Sequence, residues 1–338
     1  MRFRQAPPKA DTNTSFAALV LFISLCGFAF VARAQDSLQL KVDVQAVPIN
    51  ALVDDRAGKP VINLTREDFT VLEDGEPREI QSFESAENPY NILLLFDRSS
   101  STQDQWLFLA KAVARFFDQL PNQHRVALAA FDEKPEMLFS WRSPSDLRRQ
   151  ALLIDSENSG TNVYGALEWA TQELRKVKGR KGAIVLTDGV DNRLSKKLVS
   201  FDRSGKPSIA PMEADSDFQK MLQLIVQSRT PIYFVGVNTD QNPDPNEPPN
   251  AFNLQQRTAA RLRMQAVAER SNGALYLPGQ ISDVGPLYER IGKELGYSYS
   301  LSFAPGRPSH DGSYHRIEVR VRDKSLSVTP SREGYYSH

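Results

Sequence analysis

Cysteine is almost missing from this chain of 338 residues; Cys26 is the single one. That excludes a disulfide framework and any thiolate metal cage. Histidine is scarce too: His124, His310, His315 and His338 leave little for a multi-histidine metal centre. Neither sign of charge is in excess, with 41 Lys and Arg against 41 Asp and Glu. A nucleic-acid binder normally carries a basic surplus, so that class is disfavoured. No Gly-x-Ser-x-Gly elbow, His-Glu-x-x-His pair or Gly-rich phosphate loop occurs, which removes the commonest catalytic signatures. What is left has the composition of a soluble globular protein, 41% hydrophobic and 24% charged, and not of a disordered or collagen-like chain. The length allows one large domain or two of ordinary size.

There is one long apolar run, Phe16 to Val31. It follows Arg2, Arg4 and Lys9 and exits through Ala32-Arg33-Ala34. A positive start, an apolar stretch and a small-x-small exit match a secretory signal peptide, with cleavage expected after Ala34. An uncleaved N-terminal anchor is the alternative, since the run approaches the spanning minimum of about 17 residues. Leu25 before Cys26 is too large for a lipoprotein signal, and Arg2 and Arg4 are not adjacent as a twin-arginine signal requires. Removal of residues 1–34 takes away Arg2, Arg4, Lys9, Arg33 and Asp11, leaving 37 basic residues against 40 acidic ones. It also removes Cys26. The mature chain is then mildly anionic, free of thiols and without a membrane span, so a secreted or periplasmic location is expected.

Residues 38–48 alternate apolar and polar, and Phe69–Glu73 is a short strand candidate closed by the turn pair Asp74-Gly75. Residues 35–88 therefore read as a small β segment. From Asn91 the period changes. Ile92–Phe96, Val126–Phe131, Ala183–Leu186 and Ile232–Val237 are apolar without alternation, as expected of strands covered on both faces. Helical spacing lies between them, at Trp106–Leu120, about Val163–Val177, Phe218–Gln227 and Arg257–Ser271. Strand–helix alternation over residues 89–296 predicts an α/β fold, a doubly wound and mostly parallel sheet. Residues 297–338 return to a β pattern, and packing of the two terminal β segments as one small unit is expected because chain ends often lie close together. Ser195–Asp217 and Thr239–Gln255 read as long loops. The run from Arg175 to Lys181 reads as a solvated connection, and Trp106, Trp141 and Trp169 as packing residues.

Three separated segments carry candidate chemistry. The first buried strand ends in Asp97-Arg98-Ser99-Ser100-Ser101, a later loop holds Thr161, and another buried strand runs into Thr187-Asp188-Gly189. In an open α/β sheet ligands sit outside the carboxyl ends of the strands, where Asp97 and Asp188 both fall. Two carboxylates and three hydroxyls, Asp97, Ser99, Ser101, Thr161 and Asp188, are hard oxygen donors, which suit magnesium, manganese or calcium and not zinc or copper. Two carboxylates neutralise a divalent ion and leave it electrophilic toward an incoming anion, most simply a carboxylate on another protein. The competing reading is local. Asp97 and Ser99 also suit helix capping, as do Thr161 and Asn162, and Asp188-Gly189 is an ordinary turn pair.

This constellation resembles the metal-ion-dependent adhesion site of von Willebrand factor type A domains: Asp97, Ser99 and Ser101 match the first motif, Thr161 the second and Asp188 the third. The resemblance spans residues 89–296 and implies a Rossmann-like fold, bound Mg2+ (or Mn2+), and a protein or extracellular-matrix partner whose acidic side chain completes the coordination. Leu64-Thr65-Arg66-Glu67-Asp68-Phe69, Glu73-Asp74-Gly75 and Gly334-Tyr335-Tyr336 are similar to a bacterial group of exported proteins related to this domain. The expected function is thus an exported, non-enzymatic binding module. Two alternatives stay open: a cell-envelope scaffold whose metal only stabilises the fold, and a metal-assisted hydrolase, for which no histidine base lies in the three motifs.

Overall fold

The computed structural model describes residues 46–99, 106–148, 150, 160–241, 243, 250–306 and 312–337. The signal segment, nearly all of the alternating stretch 38–48, Ser101 and His310 lie outside the described residues. All described residues belong to one compact unit, Gln45–His338. It opens with β1 (Val47–Asp54), β2 (Phe69–Glu73), β3 (Glu76–Arg78) and β4 (Ile80–Glu84). Then come β5 (Tyr90–Asp97), α1 (Trp106–Gln119), β6 (Arg125–Phe131), β7 (Pro135–Arg142), α2 (Pro144–Leu147), α3 (Val163–Arg175) and β8 (Arg180–Thr187). The middle continues through α4 (Asn192–Ser195), β9 (Val199–Phe201), β10 (Pro207–Ile209), α5 (Ser216–Ser228), β11 (Ile232–Gly236), α6 (Ala251–Ser271), β12 (Leu275–Tyr276) and α7 (Val284–Tyr297). The last strands are β13 (Tyr299–Phe303), β14 (Tyr314–Val321), β15 (Ser327–Pro330) and β16 (Gly334–Tyr336).

The central sheet has the order β12-β11-β8-β5-β6-β7 and is parallel except for β7 at its edge. The fold is therefore the mixed α/β, mostly parallel sheet that the strand–helix alternation predicts. Its strands explain their own sequences. Side chains on a strand alternate between faces. Ile92, Leu94 and Phe96 of β5 pack with Val113 and Phe116 of α1 and Tyr288 and Ile291 of α7. Leu93 and Leu95 pack on the other face, with Leu167 of α3, Met221 of α5 and Val267 of α6. A strand buried on both faces has no position at which a polar residue meets water, so the run is continuously apolar.

Strands from both ends of the described chain pair with one another. One four-stranded sheet has the order β15-β1-β13-β4 and another β16-β14-β2-β3. Their inner faces share a core of Ile49, Val53, Phe69, Val71, Leu301, Phe303, Ile317 and Val319. This β unit abuts the amino-terminal ends of the parallel strands. There Arg180, at the foot of β8, is buried: it donates to Ser298 O, to Ser85 O and Asn88 O at 3.2 Å each, and to Ser300 Oγ, and lies 4.9 Å from the Tyr90 ring centroid. The reading of residues 175–181 as solvated fails at Arg180, because its carbonyl partners come from segments distant in sequence. Among the described residues, no helix is long and apolar enough to cross a membrane.

Candidate functional site

The opposite, carboxyl-terminal ends of the parallel strands bring three of the predicted segments together. Asp97 ends β5, Thr187 ends its neighbour β8, and Asp188 follows directly. Asp97, Ser99, Thr161 and Asp188 are all buried, between 0% and 6% exposed. Thr187 Oγ1 donates to Asp97 Oδ2 at 2.6 Å, and Ser99 N–H donates to Asp97 Oδ1 at 3.0 Å. Asp188 Oδ1 accepts from Val190 N–H at 2.9 Å. Burial, and next the negative charge of Asp188, push the Asp97 carboxyl well above the usual carboxylate range. Two acids within each other's field in a desolvated place are a poor arrangement for anions alone and a good one for a cation.

Thr161 is brought in by the chain after Asp188. Asn192 N–H donates to Thr161 O at 2.8 Å, and Asn192 Oδ1 accepts from Thr161 N–H at 3.2 Å. One asparagine thus pairs with both backbone groups of Thr161. Gly160 is required beside it, since a Cβ there would come within 2.7 Å of the Asn192 side-chain amide. Asp191, fully buried, accepts from Arg193 N–H at 2.8 Å at the start of α4 and from Tyr164 N–H at 3.2 Å in α3. Asn162 caps α3 by accepting from Gly165 N–H, and its own N–H donates to Asp132 O at 2.8 Å. The capping alternative therefore holds for Asn162, and the structure adds Asp191 as a cap, whereas Asp97 is bonded to Ser99 N–H and across the sheet to Thr187.

Gly189 closes the turn after Asp188 with φ +76, in the left-handed region. A Cβ there would also stand 2.8 Å from Met264 Cε of α6. Arg98, between Asp97 and Ser99, is mostly buried. Its side chain is only 11% exposed and turns toward Asp132 at 3.6 Å and Glu136 at 3.4 Å. The roles of Thr187 and Asn192 are not among the sequence expectations. They follow from cross-strand and loop–loop contacts that no local spacing encodes. Trp141 and Trp169 pack, partly buried, on the core as expected; the Trp106 side chain is outside the described residues. His315 Nδ1 lies 2.7 Å from Asp74 Oδ2.

The donor set fits a hard divalent ion: two carboxylates and the hydroxyls of Ser99 and Thr161, without sulfur or imidazole. Among the described residues no group of three or more His, Cys, Asp or Glu side chains is arranged for a metal, so the hydroxyls are indispensable to such a site.

Residues 92–190, which run from β5 to just past Asp188, match the family model of the von Willebrand factor type A domain. The chain carries a von Willebrand factor type A domain. No curated protein sequence matches it. Solved structures with similar chains include a von Willebrand factor type A protein from Catenulispora acidiphila (12% identity, TM-score 0.46, covering 80% of this chain and 72% of that one). An aerotolerance-related membrane protein from Bacteroides fragilis is 13% identical (TM-score 0.43, 61% of this chain and 98% of that one). The pilus adhesin SpaC from Lactobacillus rhamnosus GG is 14% identical (TM-score 0.47, 73% of this chain and 34% of that one). Within this type A domain, Asp97 and Asp188 sit at opposite ends of the matched segment in sequence and on neighbouring strands in space.

Proposed function

We propose that the type A domain is a non-enzymatic, metal-dependent binding module of an exported protein. In this reading Asp97, Ser99, Ser101, Thr161 and Asp188 hold Mg2+ or Mn2+, and the β segments 35–88 and 297–338 form a flanking unit. When bound, the ion supplies an electrophilic position for an anionic oxygen, here a carboxylate of a protein or matrix partner. The observation that carries the reading is the pair of buried carboxylates on adjacent strand ends, framed by buried hydroxyls. Thr187 orients Asp97, Asn192 holds the Thr161 backbone, and Gly189 permits the turn that follows Asp188. These residues pre-set the donors, so little ordering is left for the moment of binding.

Thermal unfolding of the full chain in EDTA and in millimolar Mg2+ or Mn2+, beside Asp97→Ala, tests the proposal. A ligand at about 100 times its dissociation constant stabilises by roughly 2.7 kcal/mol. The wild type is expected to shift upward with metal and Asp97→Ala not to respond. An equal response in both proteins would refute the site. The export part of the reading is checked by N-terminal sequencing of the extracytoplasmic product, which should begin at Gln35.

A further inference from the structure

The segment between α4 and α5, read from sequence as a loop, is a built hairpin. β9 and β10 pair antiparallel with Val199 opposite Ile209, Ser200 opposite Ser208 and Phe201 opposite Pro207. Side-chain alternation sorts these residues: Val199, Phe201, Pro207 and Ile209 share one face, and Ser200 and Ser208 the other. At the root of the apolar face Val199 and Ile209 are half-buried. Farther out Phe201 keeps 69% of its surface exposed, the largest fraction among the large apolar side chains of the described residues. Phe201 thus offers apolar surface to solvent beside the turn that joins β9 to β10.

The turn of the arm is closed by hydrogen bonds, and cations outnumber acids along it. Asp202 Oδ1 accepts from Ser204 N–H at 2.8 Å, Ser204 Oγ at 2.6 Å and Lys206 N–H at 2.9 Å, so the one acid of the hairpin is folded into its turn. Arg203 and Lys206 at the tip and Lys196 at the root are exposed, and no ion pair to them forms among the described residues. Lys197 alone is matched, by Asp217 at 2.6 Å. The root is tied to residues that flank the candidate site: Leu198 N–H donates to Arg193 O at 2.8 Å, and the Arg193 guanidinium donates to Asp191 and to Asn162, the residue after Thr161. Arg263 of α6 donates to Ala210 O and braces the returning strand.

We propose that the β9–β10 hairpin is a contact arm for an acidic protein segment that carries an aromatic or large aliphatic side chain. The partner's apolar side chain packs on Phe201, and its acidic groups face Lys196, Arg203 and Lys206. This rests on the reading that the adjoining site takes a partner's carboxylate, and it adds what the rest of that partner looks like. Charge complementarity selects an acidic segment and speeds its approach. A preformed aromatic next to arginine and lysine supplies the kind of anchor that carries binding energy in protein interfaces, at small entropic cost.

The experiment uses the full chain and three fluorescent peptides in a Gly/Ser frame: one with four acidic residues around a Phe, one with Ser in place of that Phe, and one with amides in place of the acids. Anisotropy is read in millimolar Mg2+ and in EDTA, and phosphatidylglycerol vesicles serve as a separate probe. The acidic Phe peptide is expected to bind tightest. Phe201→Ser should weaken it about tenfold, the cost of one uncovered aromatic, and leave the Ser peptide unchanged. Arg203→Glu with Lys206→Glu should weaken both acidic peptides, more at low salt. These positions are exposed, and an unchanged unfolding temperature checks that each variant folds. Hairpin variants that bind like wild type, failure of all three peptides at millimolar concentration, or Phe201-dependent binding of vesicles without peptide binding would each overturn the proposal. Asp97→Ala separates the two readings. Peptide binding that survives Asp97→Ala and EDTA but is lost in the hairpin variants sinks the metal reading and keeps the arm; the reverse pattern sinks the arm and keeps the metal reading.

Discussion

Thr187 and Asp97 are joined across neighbouring strands: the Thr187 hydroxyl gives its proton to Asp97 Oδ2 at 2.6 Å and accepts from Gly189 N–H at 2.9 Å. One side chain thereby orients the acid that ends β5 and shapes the turn that follows β8. Segments 90 residues apart are set by a single hydroxyl.

Replacing Thr187 by valine keeps the shape and removes both bonds. Asp97 loses one of its donors and Gly189 N–H its acceptor, and a buried polar group left unmet costs about 1–3 kcal/mol. Urea unfolding of Thr187→Val should show a loss in that range, and metal should stabilise the variant less than the wild type. Thr187→Ser, which restores the hydroxyl, should recover most of both. A valine variant with the wild-type midpoint and metal response would remove Thr187 from the site.

Gly189→Ala places a Cβ where φ is +76 and where Met264 Cε stands 2.8 Å away. Strain of this kind costs about 1–3 kcal/mol. The expected outcome is a lower unfolding midpoint, and Gly189→Ala should cost less in a Met264→Ala background than in the wild type, although Met264→Ala itself destabilises the core. Additive losses in the double variant would show that the backbone conformation alone sets the cost.

Much of this arrangement is legible in the chain itself, for identifiable reasons. Continuous apolar runs such as Ile92–Phe96 mark strands covered on both faces, and the spacing from Trp106 to Leu120 marks a helix that the structure places at Trp106–Gln119. The positions of Asp97 and Asp188 at strand ends follow directly from where those runs stop. Short or edge elements are less legible. The hairpin strands β9 and β10 are three residues each, too short for alternation to register, and β7 lies on the sheet edge with a half-buried, mixed pattern. α6 begins at Ala251 inside the stretch read as a loop, because Asn250 caps it by accepting from Phe252 and Asn253 N–H. The deepest gap is tertiary. The burial of Arg180 and the grip of Asn192 on Thr161 depend on partners far away in the sequence.

Tyr288 of α7 is fully buried, and among the described residues no hydrogen-bond partner reaches its hydroxyl. Burial pushes its phenol pKa up, as expected of a group that loses water and gains nothing polar. Its ring packs edge-on to Phe116 at 5.7 Å, a contact that phenylalanine retains. Tyr288→Phe is therefore expected to stabilise the fold by about 1 kcal/mol. A destabilisation of that size, measured by urea unfolding, would mean that the hydroxyl is bonded after all.

His124 gives the fold an acid sensitivity whose sign can be worked out. Tyr90 N–H donates to its Nδ1 at 2.9 Å, so that nitrogen is an acceptor; Nε2 lies 3.0 Å from Gly296 O and carries the proton. The ring is held neutral, and burial lowers its pKa to about 4. In the unfolded chain a histidine titrates near about 6.5. Between these values the unfolded state binds a proton that the folded state refuses, so stability falls as pH falls from about 6.5 toward 4 and levels off below. The gap corresponds to a loss on the order of 3 kcal/mol once the folded pKa is passed. Unfolding free energies of the wild type and His124→Gln, compared at pH 7 and pH 4.5, check this. The variant should start lower, because glutamine replaces a ring held by two fitted bonds, but its stability should fall less steeply between the two pH values. Equal slopes would place the acid sensitivity in other groups.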